Sequence, residues 1–135
     1  SEFTEEKKPT LGVEFGTKVM TTNNKQVKIQ IWDTAGQEKY KSITNSYYIN
    51  SKGAFIVFDL SRQESFESIS KWIRDVKEIA GEESSLIIIG NKSDLNELRQ
   101  VSKEVIEQKI QEYGYQYIET SAKSGSNVDE AFQIM

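Results

Sequence analysis

The stretch Asp33-Thr34-Ala35-Gly36-Gln37 sets a carboxylate, a glycine and a side-chain amide side by side. A carboxylate there can hold a hydrated Mg²⁺ through water. A glycine lets a backbone N–H reach a phosphate oxygen with no Cβ in the way. An amide beside it can orient a water for in-line attack on phosphorus. Taken alone, D-x-x-G reads more simply as a plain glycine turn.

A second stretch, Asn91-Lys92-Ser93-Asp94, follows the apolar run Ile87-Ile88-Ile89-Gly90. Its aspartate can accept two hydrogen bonds, from N1–H and the amino group of guanine. Adenine offers no matching donor pair and would leave the carboxylate unpaired, which is how a polar pocket rejects an analogue. The lysine stem can pack on the purine face. The same residues also read as a turn after a strand, and Asn91-Lys92-Ser93 formally matches a glycosylation sequon. Thr120-Ser121-Ala122-Lys123 is a third stretch. Small residues there let backbone N–H groups reach a base oxygen, and Lys123 can cover the base from the other side; as a bare tripeptide Ser-Ala-Lys carries little information. Thr10 is the fourth candidate. A threonine hydroxyl on a loop can join a Mg²⁺ shell only when a terminal phosphate is present, the order–disorder logic of a nucleotide switch. A lone threonine after Pro9 is otherwise a turn residue.

Each stretch needs an element to hold it. Val13 to Thr22 alternates, with Val13, Phe15, Thr17 and Val19 on one side, and reads as a strand. Asn23-Asn24-Lys25 is turn chemistry. Val27, Ile29 and Ile31 alternate with polar residues and Trp32, so the two runs form an antiparallel hairpin. Ala54 to Phe58 is a continuous apolar run, the mark of a strand covered on both faces. Ser61-x-x-Glu64 reads as a capping box opening one helix through Phe66, Ile69, Ile73, Val76 and Ala80, with Gly81 at its end. Leu86 to Ile89 is the next buried strand. Ser102 starts a helix with Val105, Ile106, Ile110 and Tyr113, which Gly114 closes. Tyr115 to Glu119 is a short strand, and Ser126 to Met135 begins a helix with Val128, Ala131, Phe132 and Met135 on one face. Alternating strands and helices imply an α/β fold with a mostly parallel sheet, and ligands of such sheets bind beyond the carboxyl ends of the strands.

Composition narrows the chemistry. The 135 residues include no cysteine and no histidine, so thiol nucleophiles, Cys/His zinc sites and histidine acid–base catalysis are absent from them. A metal must be a hard cation held by oxygens. The net charge of −4 argues against a nucleic-acid binder. No apolar run reaches the length of a membrane span, and no secretory segment opens the chain. The absence of cysteine fits a cytoplasmic protein.

Thr, D-x-x-G, N-K-x-D and S-A-K occur in that order, the last three at strand ends. The chain thereby resembles a Ras-superfamily small GTPase, and within it the Rab family. Trp32-Asp33-Thr34-Ala35-Gly36-Gln37-Glu38 is highly specific. Leu11 to Phe15, Lys28 to Trp32, Lys39 to Thr44 and Ile56 to Leu60 are similar to Rab-diagnostic segments. Tyr47-Tyr48 is followed by Ile49-Asn50-Ser51 where Rabs commonly carry Arg-Gly-Ala, a departure that bears on partner specificity. The resemblance implies a P-loop NTPase-like, three-layer α/β fold that binds GTP or GDP with Mg²⁺. Thr10 and Asp33 would flank the metal, and Gly36 would give its N–H to the γ-phosphate. Gln37 would position the attacking water, or be displaced by a glutamine of a TBC-type activating protein. Asn91, Lys92 and Asp94 would read guanine, and Ser121, Ala122 and Lys123 would complete the base pocket. Phe15, Trp32 and Tyr47 resemble the aromatic triad read by effectors; without the resemblance they read as core aromatics. The partners implied are GTP-dependent effectors, exchange factors, GTPase-activating proteins and a dissociation inhibitor, with no nucleic acid. The place implied is the cytosolic face of intracellular membranes, reached through a lipidated tail.

None of the eight glycines is followed by lysine, so G-x-x-x-x-G-K-[ST] does not occur in these residues. By the resemblance, residues 1–135 are an incomplete small-GTPase domain cut at both ends. The phosphate loop and N-terminal strand lie upstream of Ser1, and the lipidated tail is absent. In the family that first strand sits between Val27–Trp32 and Ala54–Asp59, so two sheet edges would lack a partner. The expectation is a chain that is unstable alone and impaired in nucleotide binding. The alternative is a non-catalytic Rab-like interaction module that has lost nucleotide binding. Such a module would have no need of Thr10, Gln37, Asn91, Lys92 and Asp94 together.

Overall fold

Asn23 and Asn24 both lie in the left-handed region, at φ +49° and +61°. Two consecutive residues of that kind make a tight turn whose twist suits a hairpin. They join β1 (Val13–Thr22) to β2 (Lys25–Thr34), antiparallel, with Thr22 opposite Lys25 and Phe15 opposite Trp32. The computed structural model describes residues 3–34, 36 and 46–135. The chain divides into two compact units, one carrying Glu5–Asn50 and the other Ser51–Met135.

The two faces of the hairpin differ in exposure. Phe15 is 54% exposed and Val19 62% exposed, whereas Met20, on the opposite face of β1, is buried. The apolar side of the alternation is therefore the solvent side. Phe15 lies against Trp32 across the ladder, so the rings cover each other without entering a core.

The second unit carries β3 (Gly53–Asp59), β4 (Ser85–Asn91) and β5 (Gln116–Glu119), parallel and in that order. Helices α1 (Gln63–Glu67) and α2 (Ile69–Ala80) connect β3 to β4, and α3 (Lys103–Tyr113) connects β4 to β5. Helix α4 (Val128–Ile134) follows. The α/β class with a parallel sheet is as expected. Phe58 packs on Phe66 of α1, ring centroids 5.2 Å apart. From the other face of β3, Phe55 meets Phe132 of α4 edge-on at 5.1 Å. Helices thus lie on both faces of the sheet, three layers in all. Ile87, Ile89 and Ala131 form a buried cluster under Phe55 and Ile118. Leu86 to Ile89 is buried on both faces, as the run implies, but Val57 is 56% exposed, so β3 is not covered throughout.

Local chemistry explains two further differences. Ser61 does not cap the helix; its hydroxyl donates to Asp59 Oδ1 at 2.6 Å and its amide to the same oxygen at 2.9 Å. The carboxylate at the end of β3 outcompetes the helix terminus for that serine, and Arg62 is the N-cap, with no side-chain bond. The expected single helix is divided at Ser68, whose hydroxyl donates back to the Glu64 carbonyl at 3.0 Å; such back-bonding bends helices. A turn of 3₁₀ helix, Asn96–Leu98, is a further element that no local motif announces. Other signals hold: Ser102 accepts the Val105 amide as N-cap, and Gly114 ends α3 at φ +72°. Among the described residues, no helix is long and apolar enough to cross a membrane.

Candidate functional site

The parallel register brings three strand ends level. Asp59 is opposite Asn91, and Gly90 is opposite Glu119. The segments that leave β4 and β5 are then tied to each other. Asn91 Oδ1 accepts the Thr120 hydroxyl and the Ala122 amide, each at 3.1 Å. The Thr120 amide donates to the Gly90 carbonyl at 2.9 Å, and the Ser93 amide to the Thr120 carbonyl at 3.0 Å. Ser121 is fully buried. Its hydroxyl donates to Asp94 Oδ1 at 2.7 Å and accepts the Ser124 amide at 3.0 Å. The Gly125 amide closes that loop onto the Ser121 carbonyl at 2.8 Å.

Asn91, Asp94, Ser121 and Ala122, predicted from two separate stretches, therefore form one bonded cluster. They divide the work. Asn91's oxygen is occupied by Thr120 and Ala122, so it holds the loops together. Asp94 is exposed, and its second carboxylate oxygen has no hydrogen bond among the described residues. That oxygen can accept from a ligand. Lys92 has φ +66°, a left-handed conformation that costs about 1 kcal/mol or more outside glycine. Its ammonium lies 2.7 Å from Asp59 Oδ2, across the end of β3. Lys123 is exposed at the rim of the serine loop.

Sequence reasoning missed Asp59. It stands at a strand end level with Asn91, a position that the strand-end rule alone would have flagged. It also missed Glu119, Arg99 and Tyr117. Arg99 donates to both Glu119 oxygens, at 2.8 and 2.7 Å, and Tyr117 donates to Glu119 Oε2 at 2.7 Å. Burial, and after it Glu119, push the Tyr117 hydroxyl far above the ordinary phenol range, so it stays a donor. Arg99's hydrogen bonds hold the Glu119 carboxyl below its usual range against the opposing effect of burial, with help from Tyr117. For Asp59, burial is the largest single influence and raises its pKa. The bonds from Lys92 and Ser61 together outweigh it, and the net shift is downward.

Both carboxyls thus bind protons more weakly in the fold than in the unfolded chain, whose values are about 3.9 for Asp and 4.3 for Glu. Their contribution to stability is complete above those values and is lost as pH falls through the lower folded ones. Urea midpoints measured from pH 7 to pH 3 should fall below about pH 4.5. Glu119→Gln should shallow that fall; an unchanged acid limb in the variant would contradict the assignment.

In the hairpin unit Thr10 is half-buried, Asp33 is exposed near the end of β2, and Gly36 is exposed with open space around it. Gln37 lies outside the described residues. Trp32 lies between Phe15, at 4.6 Å, and Tyr47, at 4.8 Å between ring centroids. Trp32 is 44% exposed, so Phe15 and Trp32 are surface aromatics and not core. Among the described residues, no three acidic or histidine side chains are grouped to hold a metal. Asp33 and Thr10 each carry an oxygen donor, the ligand type of a hard cation such as Mg²⁺.

The Ras family model matches residues 1–135, the whole length of the chain. The chain belongs to the Ras family. It is 46% identical to the GTP-binding protein ypt3 of Schizosaccharomyces pombe over 135 residues, which is all of this chain and 63% of that relative. Ras-family membership agrees with the parallel three-stranded sheet and with the order of the strand-end motifs. The Rab resemblance read from the residues agrees with that relative.

Proposed function

We propose that this chain is the greater part of a Rab-like molecular switch that binds GTP and GDP with Mg²⁺ and hydrolyses GTP to GDP. The observation that carries the reading is the Asp94–Ser121 bond inside the cluster locked by Asn91, at the carboxyl ends of adjacent parallel strands. Asp94 offers a fixed acceptor to the N1–H and amino group of guanine, Ser121 and Ala122 border the base, and the stem of Lys92 lies along it. Thr10 and Asp33 would hold Mg²⁺, which stabilises charge on the transferring phosphoryl group. Gly36 would donate its N–H to the terminal phosphate, and Gln37 would orient the attacking water. Phe15, Trp32 and Tyr47 would be the surface through which effectors read the GTP state in vesicle trafficking. Exchange factors, GTPase-activating proteins and a dissociation inhibitor would act on the same switch, on the cytosolic face of intracellular membranes.

The 135 residues contain no G-x-x-x-x-G-K-[ST], and in P-loop proteins that loop's amides cradle the phosphates. Affinity of the 135-residue stretch by itself should therefore be impaired, by about a hundredfold or more, for want of several charge-assisted hydrogen bonds. Titration of a fluorescent GDP against this stretch and against the complete gene product measures both points. The complete product should prefer GDP to ADP by about 10⁴, as a site built on paired polar groups does. Equal affinity for ADP would rule the reading out.

A further inference from the structure

We propose that Arg99, which no motif singles out, is a positioning residue that holds Asp94 in register with the base pocket. This rests on the reading of Asp94 as the guanine acceptor. Asp94 and Arg99 lie on one segment, between β4 and α3; Ser121 and Glu119 lie on another, at the end of β5. Besides the Ser93–Thr120 backbone bond, two side-chain contacts join the same two segments: Asp94 to Ser121, and Arg99 to Glu119. The first is a single hydrogen bond from a buried serine to an exposed carboxylate. The second is bidentate, and its side chains are only 20% and 22% exposed. A planar guanidinium gripping both carboxylate oxygens fixes direction as well as distance.

Arg99 is itself held on two further sides. Its Nε donates to the Val101 carbonyl at 2.7 Å. The amides of Gln100 and Val101 donate to the Leu60 carbonyl at 2.9 and 3.4 Å, past the end of β3. Glu119 is anchored in turn. Tyr117 donates to its carboxylate, and Asn127 Nδ2, at the N-cap of α4, donates to its backbone carbonyl at 2.9 Å. The segment that bears Asp94 is thus braced downstream to the ends of β3 and β5, while Asn91 braces it upstream. Loosening the downstream brace leaves Asp94 held only from its upstream side, by Asn91 and Ser93, and by its own bond to Ser121.

A brace of this kind has a signature distinct from general stability. Inosine lacks the exocyclic amino group, so the ratio of GDP to IDP affinity reports how well Asp94 meets that group. Phosphate contacts cancel in the ratio. The test uses the complete gene product with Arg99→Lys, which keeps the charge and loses the fork, and with Glu119→Gln, which keeps the shape. Each should lower the GDP:IDP ratio about fivefold, the worth of one misaligned hydrogen bond. The double variant should lose no more than the worse single one, because both remove the same contact. A wild-type preference for GDP that both variants retain in full, whatever their melting temperatures, would overturn the role of Arg99 and leave the base site standing. A wild type with no preference for GDP over IDP would overturn the site reading and the brace with it.

Discussion

Asp94→Asn is expected to shift the ratio of GTP to XTP affinity by about a thousandfold towards XTP. Guanine presents two donors on this edge, N1–H and the amino group. Xanthine presents N1–H and a carbonyl. A carboxylate answers two donors; an amide answers one donor and one acceptor. With Asn at position 94, its oxygen can still accept the Ser121 hydroxyl, which the native Oδ1 accepts at 2.7 Å, so the loop keeps its lock. The new NH₂ then faces the amino group of guanine, donor against donor, and one of them goes unpaired at a cost of about 1–3 kcal/mol. Against xanthine the same NH₂ gains a partner. The two effects add in the ratio. Because Asp94 is exposed, the substitution should leave the melting temperature within a degree or two, as surface changes usually do. Competition of GTP and XTP against one fluorescent nucleotide gives the ratio directly. A ratio equal to wild type would remove Asp94 from the base site, even if overall affinity fell.

Parts of this site were legible in the sequence, and the reason is local. Asn91 and Asp94 follow the apolar run Leu86–Ile89, and Ser121 and Ala122 follow a short strand, so both pairs read as strand-end residues. Asn23-Asn24 demanded a tight turn, and Ser102 and Gly114 bracketed a helix. In each case a few neighbouring residues determine the outcome. The misses come from competition for hydrogen-bond partners and from contacts across the fold. Ser61 has the spacing of a capping box, but Asp59 offers it a charged acceptor at 2.6 Å. Ser68 has no reason to break a helix until its hydroxyl finds the Glu64 carbonyl. The exposed face of β1 could not be told from the buried one by alternation, which gives a period and not a direction. Arg99 and Glu119 are 20 positions apart, and nothing in either neighbourhood points to the other. Only the register, with Gly90 opposite Glu119, brings their segments together. The resemblance supplied the family and the roles, while the division of labour between Asn91 and Asp94 came from the bonds.

Gly90→Ala is expected to cost about 2–3 kcal/mol, because the added methyl meets core side chains. Its glycine is not needed for a turn, since Gly90 sits within β4. It is needed for closeness. A Cβ there would lie 2.6 Å from the Tyr117 hydroxyl, 3.0 Å from Leu60 Cδ2 and 3.2 Å from Phe58 Cζ. Leu60 and Phe58 are core residues with little room to yield. The Tyr117 ring can move, but its hydroxyl is the donor to Glu119, so moving it strips a bond from the brace that holds Arg99. For a domain of this size the loss corresponds to a melting temperature about 10 °C lower. Tyr117→Phe separates the two contributions. It removes the clashing oxygen and the Glu119 bond together, so Gly90→Ala added to it should cost about 1 kcal/mol less than in the wild type. An equal cost in both backgrounds would mean that the methyl is resisted by Leu60 and Phe58 alone. The packing argument would then survive without its link to Glu119. That link also predicts a kinetic effect. Gly90 precedes Asn91 directly, so a displaced β4 end carries the N-K-S-D turn with it. Guanine-nucleotide release from the complete gene product should accelerate at temperatures where the Gly90→Ala variant is still fully folded.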